Sequence, residues 1–335
     1  MDNKYVNMAH KVLDSTNNGF IKENFSKLYS KDDEKKQLRN EAQETRKKVV
    51  GDKLFVRGSL EYSNYCSNSC AFCGMAGNNI SLSRYELSFD EVKQAVNQLI
   101  KYDVHQLHIV TGENWEMKIQ KMCDVVKYAV SRGLGVTLVL GELKEEEYEQ
   151  LYSAGANRYI LKFETSNPEN YSICKSGKNL YERVANLFLL RDIGFKIGTG
   201  VISGLPRTTD KDLMQDLLVL KRIQPDMASV SIFSPNEKSR YADQIPGDIQ
   251  KTLNFVSLMR RHLLKTKIIT CSSSFGSGMQ VEALNAGANL MSYHITPHQY
   301  AKEFSMYTYE NRIMTQYTHI KSCAEKGNLS IVSYI

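Results

Sequence analysis

Apolar positions along the first fifty residues stand singly among polar neighbours, and beyond residue 54 they gather into short runs of two alternating kinds. Val6, Ala9, Val12 and Leu13, then Phe25, Leu28, Leu38 and Ala42, have the spacing of amphipathic helices, so residues 1–50 are expected to form a helical extension. After it, β-rich segments bounded by Gly, Asn, Asp and Pro are predicted at 54–62, 106–111, 135–140, 158–163, 196–202, 228–233, 267–271 and 290–294. Helical stretches are predicted to follow the first seven strands, at 89–101, 118–132, 144–153, 180–193, 210–223, 248–264 and 279–286. Such alternation requires parallel strands, and eight units suffice to close a (β/α)8 barrel. The expected organisation is an extension over 1–50, an α/β barrel of the TIM type over 51–296, and C-terminal helices packed on it over 297–335.

Composition narrows the classes without changing that picture. Apolar residues make up 42% of the 335 positions and charged ones 24%, which is enough to bury a large core and argues against disorder. The net charge of +6 comes from 43 basic residues interspersed among 37 acidic ones, so no nucleic-acid partner is expected. The excess can instead attract an anionic substrate or an acidic electron donor. Residues 1–13 lack the apolar core of a signal peptide and no run is long enough to span a bilayer, so a cytoplasmic protein with no membrane partner is expected.

Three of the seven cysteines fall within eight residues, Cys66-Ser-Asn-Ser-Cys70-Ala-Phe-Cys73, directly after the first predicted strand. Three thiolates on a short loop can bind three corners of an iron-sulfur cube and leave one iron open. Zinc and free thiols are the alternatives. Structural zinc usually takes four protein ligands, and no second Cys or Cys/His pair lies at a suitable spacing; unliganded thiols at a strand end would be prone to oxidation.

This Cys-x3-Cys-x2-Cys loop, with Phe72 before its last cysteine, resembles that of the radical S-adenosylmethionine (SAM) superfamily. The resemblance implies a 4Fe-4S cluster whose open iron chelates SAM, and reductive cleavage of SAM to a 5′-deoxyadenosyl radical acting on a small-molecule substrate. It also implies an electron donor such as flavodoxin or ferredoxin. Further likeness runs from about residue 49 to 309 and is greatest to the HydE maturase branch, with methylornithine synthase and biotin synthase more distant. It rests on Glu61-Tyr-Ser-Asn64, Val136 to Glu142, Glu164-Thr-Ser-Asn-Pro168, Gly204-Leu-Pro206, Pro225-Asp-Met227 and Ala286-Gly-Ala-Asn289.

By this resemblance Gly112 and Glu113 lie near the SAM amino group, and Glu164 and Arg183 contact its sugar and methionine carboxylate. An arginine fork suits a carboxylate; read alone, Arg183 would be an exposed helix charge. Gly200, Gly204 and Pro206 are expected in the SAM pocket, where missing side chains permit close approach of a ligand, though they could merely make a turn. Biotin synthase has extra cysteines for a sulfur-donating cluster where this chain has Val110, Leu138 and Gly198, which disfavours sulfur insertion. Only Cys323 lies beyond Cys271, so the accessory cluster of some maturases is not expected. Thr111, Lys162, Cys271, Ser272, His294 and Tyr300 are the substrate candidates. Of these, Lys162 replaces a maturase arginine and Cys271-Ser272 a Thr-Thr pair; Cys271 is a possible hydrogen-atom donor or a small core residue. A non-enzymatic alternative is an iron-sulfur scaffold or electron carrier, which would leave SAM intact.

Overall fold

The computed structural model describes residues 2–271, 278–307 and 314–333, with the side chain of Cys271 outside that set. Ser272 lies outside the described residues. Helices α1 (Asn3–Leu13), α2 (Asn18–Phe25) and α3 (Asp32–Val50) form the N-terminal extension. In α1, Tyr5, Ala9 and Leu13 are buried at four-residue spacing, and the helix docks on the barrel's outer helices.

Eight parallel strands follow: β1 (Lys53–Ser63), β2 (Gln106–Thr111), β3 (Gly135–Val139), β4 (Arg158–Ile160), β5 (Lys196–Ser203), β6 (Met227–Ile232), β7 (Ile268–Cys271) and β8 (Leu290–His294). Their order in the sheet, β7-β6-β5-β4-β3-β2-β1-β8, is that of a nearly closed (β/α)8 barrel. Among the described residues no ladder joins β7 to β8; Asn289 stitches that seam instead, accepting from Ile269 N and donating its own backbone N–H to Ile269 O, both at 2.9 Å. The helices between strands are α4 (Phe89–Lys101), α5 (Ile119–Ser131), α6 (Glu145–Ser153), α7 (Pro168–Cys174), α8 (Leu180–Ile193), α9 (Asp210–Ile223), α10 (Ile249–His262) and α11 (Met279–Asn285). Local signals set their starts: Ser88 and Glu91 form a reciprocal cap on α4, and Thr209 with Asp212 does the same for α9.

Three elements differ from the expectation. Predicted strand 158–163 stops at Ile160, although Leu161 and Phe163 still donate to Gly198 O and Gly200 O of β5. The break lets Glu164 take a left-handed conformation, φ 61°, which a non-glycine residue holds only when its surroundings fix it. The short helix α7 was not predicted. Finally, the region after residue 296 contains α12 (Tyr317–Lys326) but also a ninth strand, β9 (Ser330–Ser333), where only helices were expected. It pairs in parallel with Lys53–Val56 of β1, occupying the edge that β2 leaves open below Gly58. Among the described residues no helix is long and apolar enough to cross a membrane.

Along β1 the outward side chains Leu54, Val56, Leu60 and Tyr62 join the core between sheet and helices. The inward ones, Arg57, Ser59 and Glu61, are polar and equally buried. A barrel interior packed only for stability is filled with branched apolar residues, so this polar stripe marks a lumen built to hold something.

Candidate active site

That lumen is a cavity of about 360 Å³ opening at the C-terminal ends of the strands. An apolar floor closes it below, formed by Ile160, Met227, Ile268 and Leu290 with Phe55 and Val139. Above the floor Arg57, Ser59, His108 and His294 line the wall; at the top stand Cys66, Cys70, Phe72 and Cys73 with Gly112, Glu113, Lys175 and Arg183.

The cysteine loop is pinned to the strand ends. Ser67 N donates to Glu113 O at 2.8 Å and Ala71 N to Cys174 O at 2.8 Å. Gly112 is required by the same packing, since a Cβ there would lie 2.3 Å from Tyr65 O and 2.7 Å from Cys66 Cβ. Burial pushes the thiols of Cys66 and Cys73 up, so as free groups they are protonated and weak nucleophiles. Among the described residues no three His, Cys, Asp or Glu side chains converge to hold one metal ion. Three thiols on one short loop, all on the same cavity wall, suit three corners of an iron-sulfur cluster.

Beside the loop lies a network of buried charges. Glu113 Oε1 is 2.9 Å from Arg183 Nη2 and 3.2 Å from Lys175 Nζ. Arg183 also reaches Glu142 at 3.2 Å and donates through Nε to Lys162 O at 2.8 Å, which ties α8 to the end of β4. Lys178 meets Glu142 at 3.6 Å. Burial opposes ionisation of Glu113, but Arg183 and Lys175 outweigh it and hold its carboxyl far below the usual range. Burial likewise works against the two cations, yet Glu113 keeps both well above their ordinary values. Gly141, at φ 85°, makes room: its Cβ would fall 2.0 Å from Glu113 Cγ.

Arg183 is therefore no exposed helix charge; it is 4% exposed and faces the cavity. Glu164 follows β4 and pairs with Lys162 at 2.9 Å, whose ammonium also donates to Ser231 Oγ at 3.2 Å. The Glu164 backbone is fixed from β5, its N–H going to Gly200 O and its C=O receiving Ile202 N–H. Thr111 turns its hydroxyl onto Gly112 O at 2.7 Å, and His294 Nδ1 accepts from Thr315 N at 3.1 Å. An amino-acid zwitterion matches the Glu113–Arg183 pair, an ammonium facing the carboxylate and a carboxylate facing the guanidinium.

Four expected residues stand elsewhere. Gly200, Gly204, Pro206 and Tyr300 are not on the cavity wall. A Cβ on Gly200 would meet Ser229 O at 2.2 Å, and one on Gly204 would meet Gly247 Cα at 2.5 Å, so these glycines serve strand and loop packing. Pro206 O accepts from Asn170 Nδ2 at 3.1 Å, and Tyr300 stacks on Tyr85 and donates to Glu91. Conversely, Arg57, Ser59, His108, Ser229, Ser231 and Lys175 line the cavity without having been predicted. For all but Lys175, polar residues at alternate positions of a barrel strand are the signal that marks them. His108 Nε2 is buried and, among the described residues, has no hydrogen-bond partner. Burial, with Arg57 and His294 beside it, holds His108 neutral.

Comparison with known proteins agrees with this geometry. Residues 60–220 match the model of the radical SAM superfamily. The FeFe hydrogenase maturase subunit HydE of Thermotoga maritima is 32% identical over 269 residues, 79% of this chain and 77% of its own. The 3-methylornithine synthase of Methanosarcina acetivorans is 24% identical, over 75% of this chain and 72% of its own. Among solved structures, methylornithine synthase (PylB) superposes with a TM-score of 0.82 at 22% identity, over 97% of both chains, and the maturase HydG of Carboxydothermus hydrogenoformans with 0.80 at 18%, over 100% of this chain and 86% of its own. These two likenesses speak for the barrel alone. Three clustered thiols under a zwitterion-matched charge pair, the family match and the HydE relationship together place the chain in the radical SAM superfamily, enzymes that use a 4Fe-4S cluster and SAM.

Proposed function

We propose that this enzyme acts in metallocofactor maturation in the manner of HydE, on a small anionic iron or thiolate complex enclosed by the barrel. The observation that carries the proposal is one cavity with the three thiols at its top and Arg57 and His108 deep in its wall. Cys66, Cys70 and Cys73 would hold the cluster, Glu113 and Arg183 the amino-acid end of SAM, and Glu164 its sugar, with Phe72 at the loop. When bound, cluster and SAM supply a 5′-deoxyadenosyl radical. The protein's own share is to position a substrate and exclude water from it.

Arg57 Nε is held by Ser292 Oγ at 3.0 Å, which fixes a cation in the lower wall. His108 there is neutral, with Nε2 able to pair with a ligand. Both features suit a compact anion or a metal complex with polar ligands. A second reading, a mutase like methylornithine synthase, draws on Glu61 and Glu164, since two carboxylates in the same wall suit the ammonium groups of an amino acid. We place the reaction in the cytoplasm with a small acidic carrier, flavodoxin or ferredoxin, as electron donor. Exposed Trp115 beside Lys178, and Arg240 against the cysteine loop, offer it an aromatic and cationic surface.

The test is anaerobic reconstitution followed by incubation with SAM, reductant and either small thiolate-bound iron complexes or amino acids isomeric with methylornithine. 5′-Deoxyadenosine and a new product mass from the first set support maturation; turnover of the second set alone moves the assignment to a mutase. Cys66→Ala, Cys70→Ala and Cys73→Ala together abolish both bound iron and SAM cleavage. A cluster that forms but leaves SAM whole would make the protein a scaffold or electron carrier.

A further inference from the structure

Nothing in the sequence around Lys175 marks it, yet the fold presses it against the cysteine loop. Residues 174–176 run flush along residues 69–71: Cys174 O accepts from Ala71 N at 2.8 Å and Ser176 Oγ donates to Ser69 O. Arg240 fastens the two stretches, donating to Ser69 O at 3.1 Å and to Ser176 Oγ at 3.0 Å. Lys175 is thereby set beside Cys70 with 4% of its surface exposed, and both line the cavity.

Its ammonium pairs with Glu113, but Glu113 is shared. Among the described residues the ion pairs of Lys175, Arg183 and Lys178 are with Glu113 and Glu142, and the nearby Glu164 is matched by Lys162, which leaves one positive charge in excess in this group. Most of that excess is shielded from water, where Coulomb interactions are least screened. The potential of an iron-sulfur cluster follows the net charge, hydrogen bonds and solvent exposure around its sulfurs.

We propose that Lys175 is a positioning residue for charge: fixed beside Cys70, it raises the reduction potential of the cluster held by Cys66, Cys70 and Cys73. The step is a one-electron reduction of the cluster by an external carrier. No bond forms or breaks, and Lys175 keeps its proton. The inference rests on the chain's being a radical SAM enzyme and names what tunes that centre.

The experiment is a redox-dye titration of the reconstituted, SAM-free cluster followed by low-temperature EPR. Lys175→Met should shift the equilibrium at least tenfold toward the oxidised form, equivalent to a fall of ~59 mV for one electron. Lys175→Arg, which keeps the charge, should stay near the wild type, and Glu113→Gln, which removes the opposing charge, should move the potential upward. A purely structural lysine would alter cluster content without moving the potential of the clusters that remain. An unchanged midpoint in Lys175→Met overturns the proposal; where that variant retains no cluster, an unchanged midpoint in Glu113→Gln does so instead. Wild-type protein with no reducible cluster would sink the assignment to radical SAM chemistry itself, a separate outcome.

Discussion

Both ends of the barrel bury guanidinium groups, and they hold them in opposite ways. Below the N-terminal ends of β7 and β8, Arg260 is fully buried among neutral acceptors: Gly287 O at 2.9 Å, Thr266 O at 3.1 Å and Asn289 Oδ1 at 2.8 Å. Arg46 nearby donates to Leu284 O at 2.7 Å. At the opposite rim Arg183, also buried, faces the carboxylates of Glu113 and Glu142. Burial, with Arg46 beside it, draws the Arg260 pKa down to about 9, whereas the Glu113 carboxylate holds Arg183 above its ordinary value. Backbone carbonyls and an amide tied into the β7–β8 seam cannot leave, so the lower set is mortar. Carboxylates in a cavity can be exchanged for a ligand's charges, so the upper set is a receptor.

The largest effect should come from breaking the mortar. Arg260→Met strands several buried acceptors at the β7–β8 seam, and the expected loss is about 3 kcal/mol or more, read as a fall in Tm. Arg183→Met should do the reverse. Lys175 and Lys178 still face Glu113 and Glu142, so the fold survives, while SAM affinity measured by calorimetry drops roughly 10- to 100-fold, the worth of a charge-assisted pair. If Arg183→Met unfolds the protein as readily as Arg260→Met, the distinction fails.

A smaller effect sharpens the comparison through a buried carboxylate that, among the described residues, has no ion-pair partner. Asp216 of α9 accepts from Ser166 N at 2.5 Å and so braces the turn that follows Glu164. Burial pushes its pKa up to about 7, against the hydrogen bonds from Ser166. A folded value above the unfolded one means that the native state binds the extra proton, so stability falls as pH rises from about 4 toward 7. Asp216→Asn keeps the acceptor and removes the charge. Its Tm should exceed that of the wild type by more at pH 8 than at pH 5; equal Tm differences at both pH values would show that the carboxyl does not titrate in this range.

Most of the barrel was legible because strand and helix periods alternate cleanly from residue 54 onward, and the helices 89–101, 180–193 and 210–223 end where the pattern ends. α7 escaped because seven residues carry too little periodicity, although Asn167 as cap and Pro168 in the first turn announce it. β9 escaped because Ser-Ile-Val-Ser is short and half exposed, and its partner lies at the far end of the chain. At the site, residues in motifs could be read: the cysteines, Glu113, Glu164 and Arg183 all reach the cavity. Gly200, Gly204 and Pro206 belong to motifs too, but a glycine is spent on packing as readily as on a ligand. Lys175 has no local signal, because its position is defined by a loop a hundred residues away.

The pairing of Ser330–Ser333 with Lys53–Val56 has a further consequence, for the order of assembly. β1, from which the three thiols hang, precedes every other described strand, yet part of one edge stays open until residues 330–333 have been made and have docked. Contacts so distant in sequence close slowly. Until then the strand that carries Cys66, Cys70 and Cys73 is incompletely paired, so a cluster loaded earlier would rest on an unfinished support.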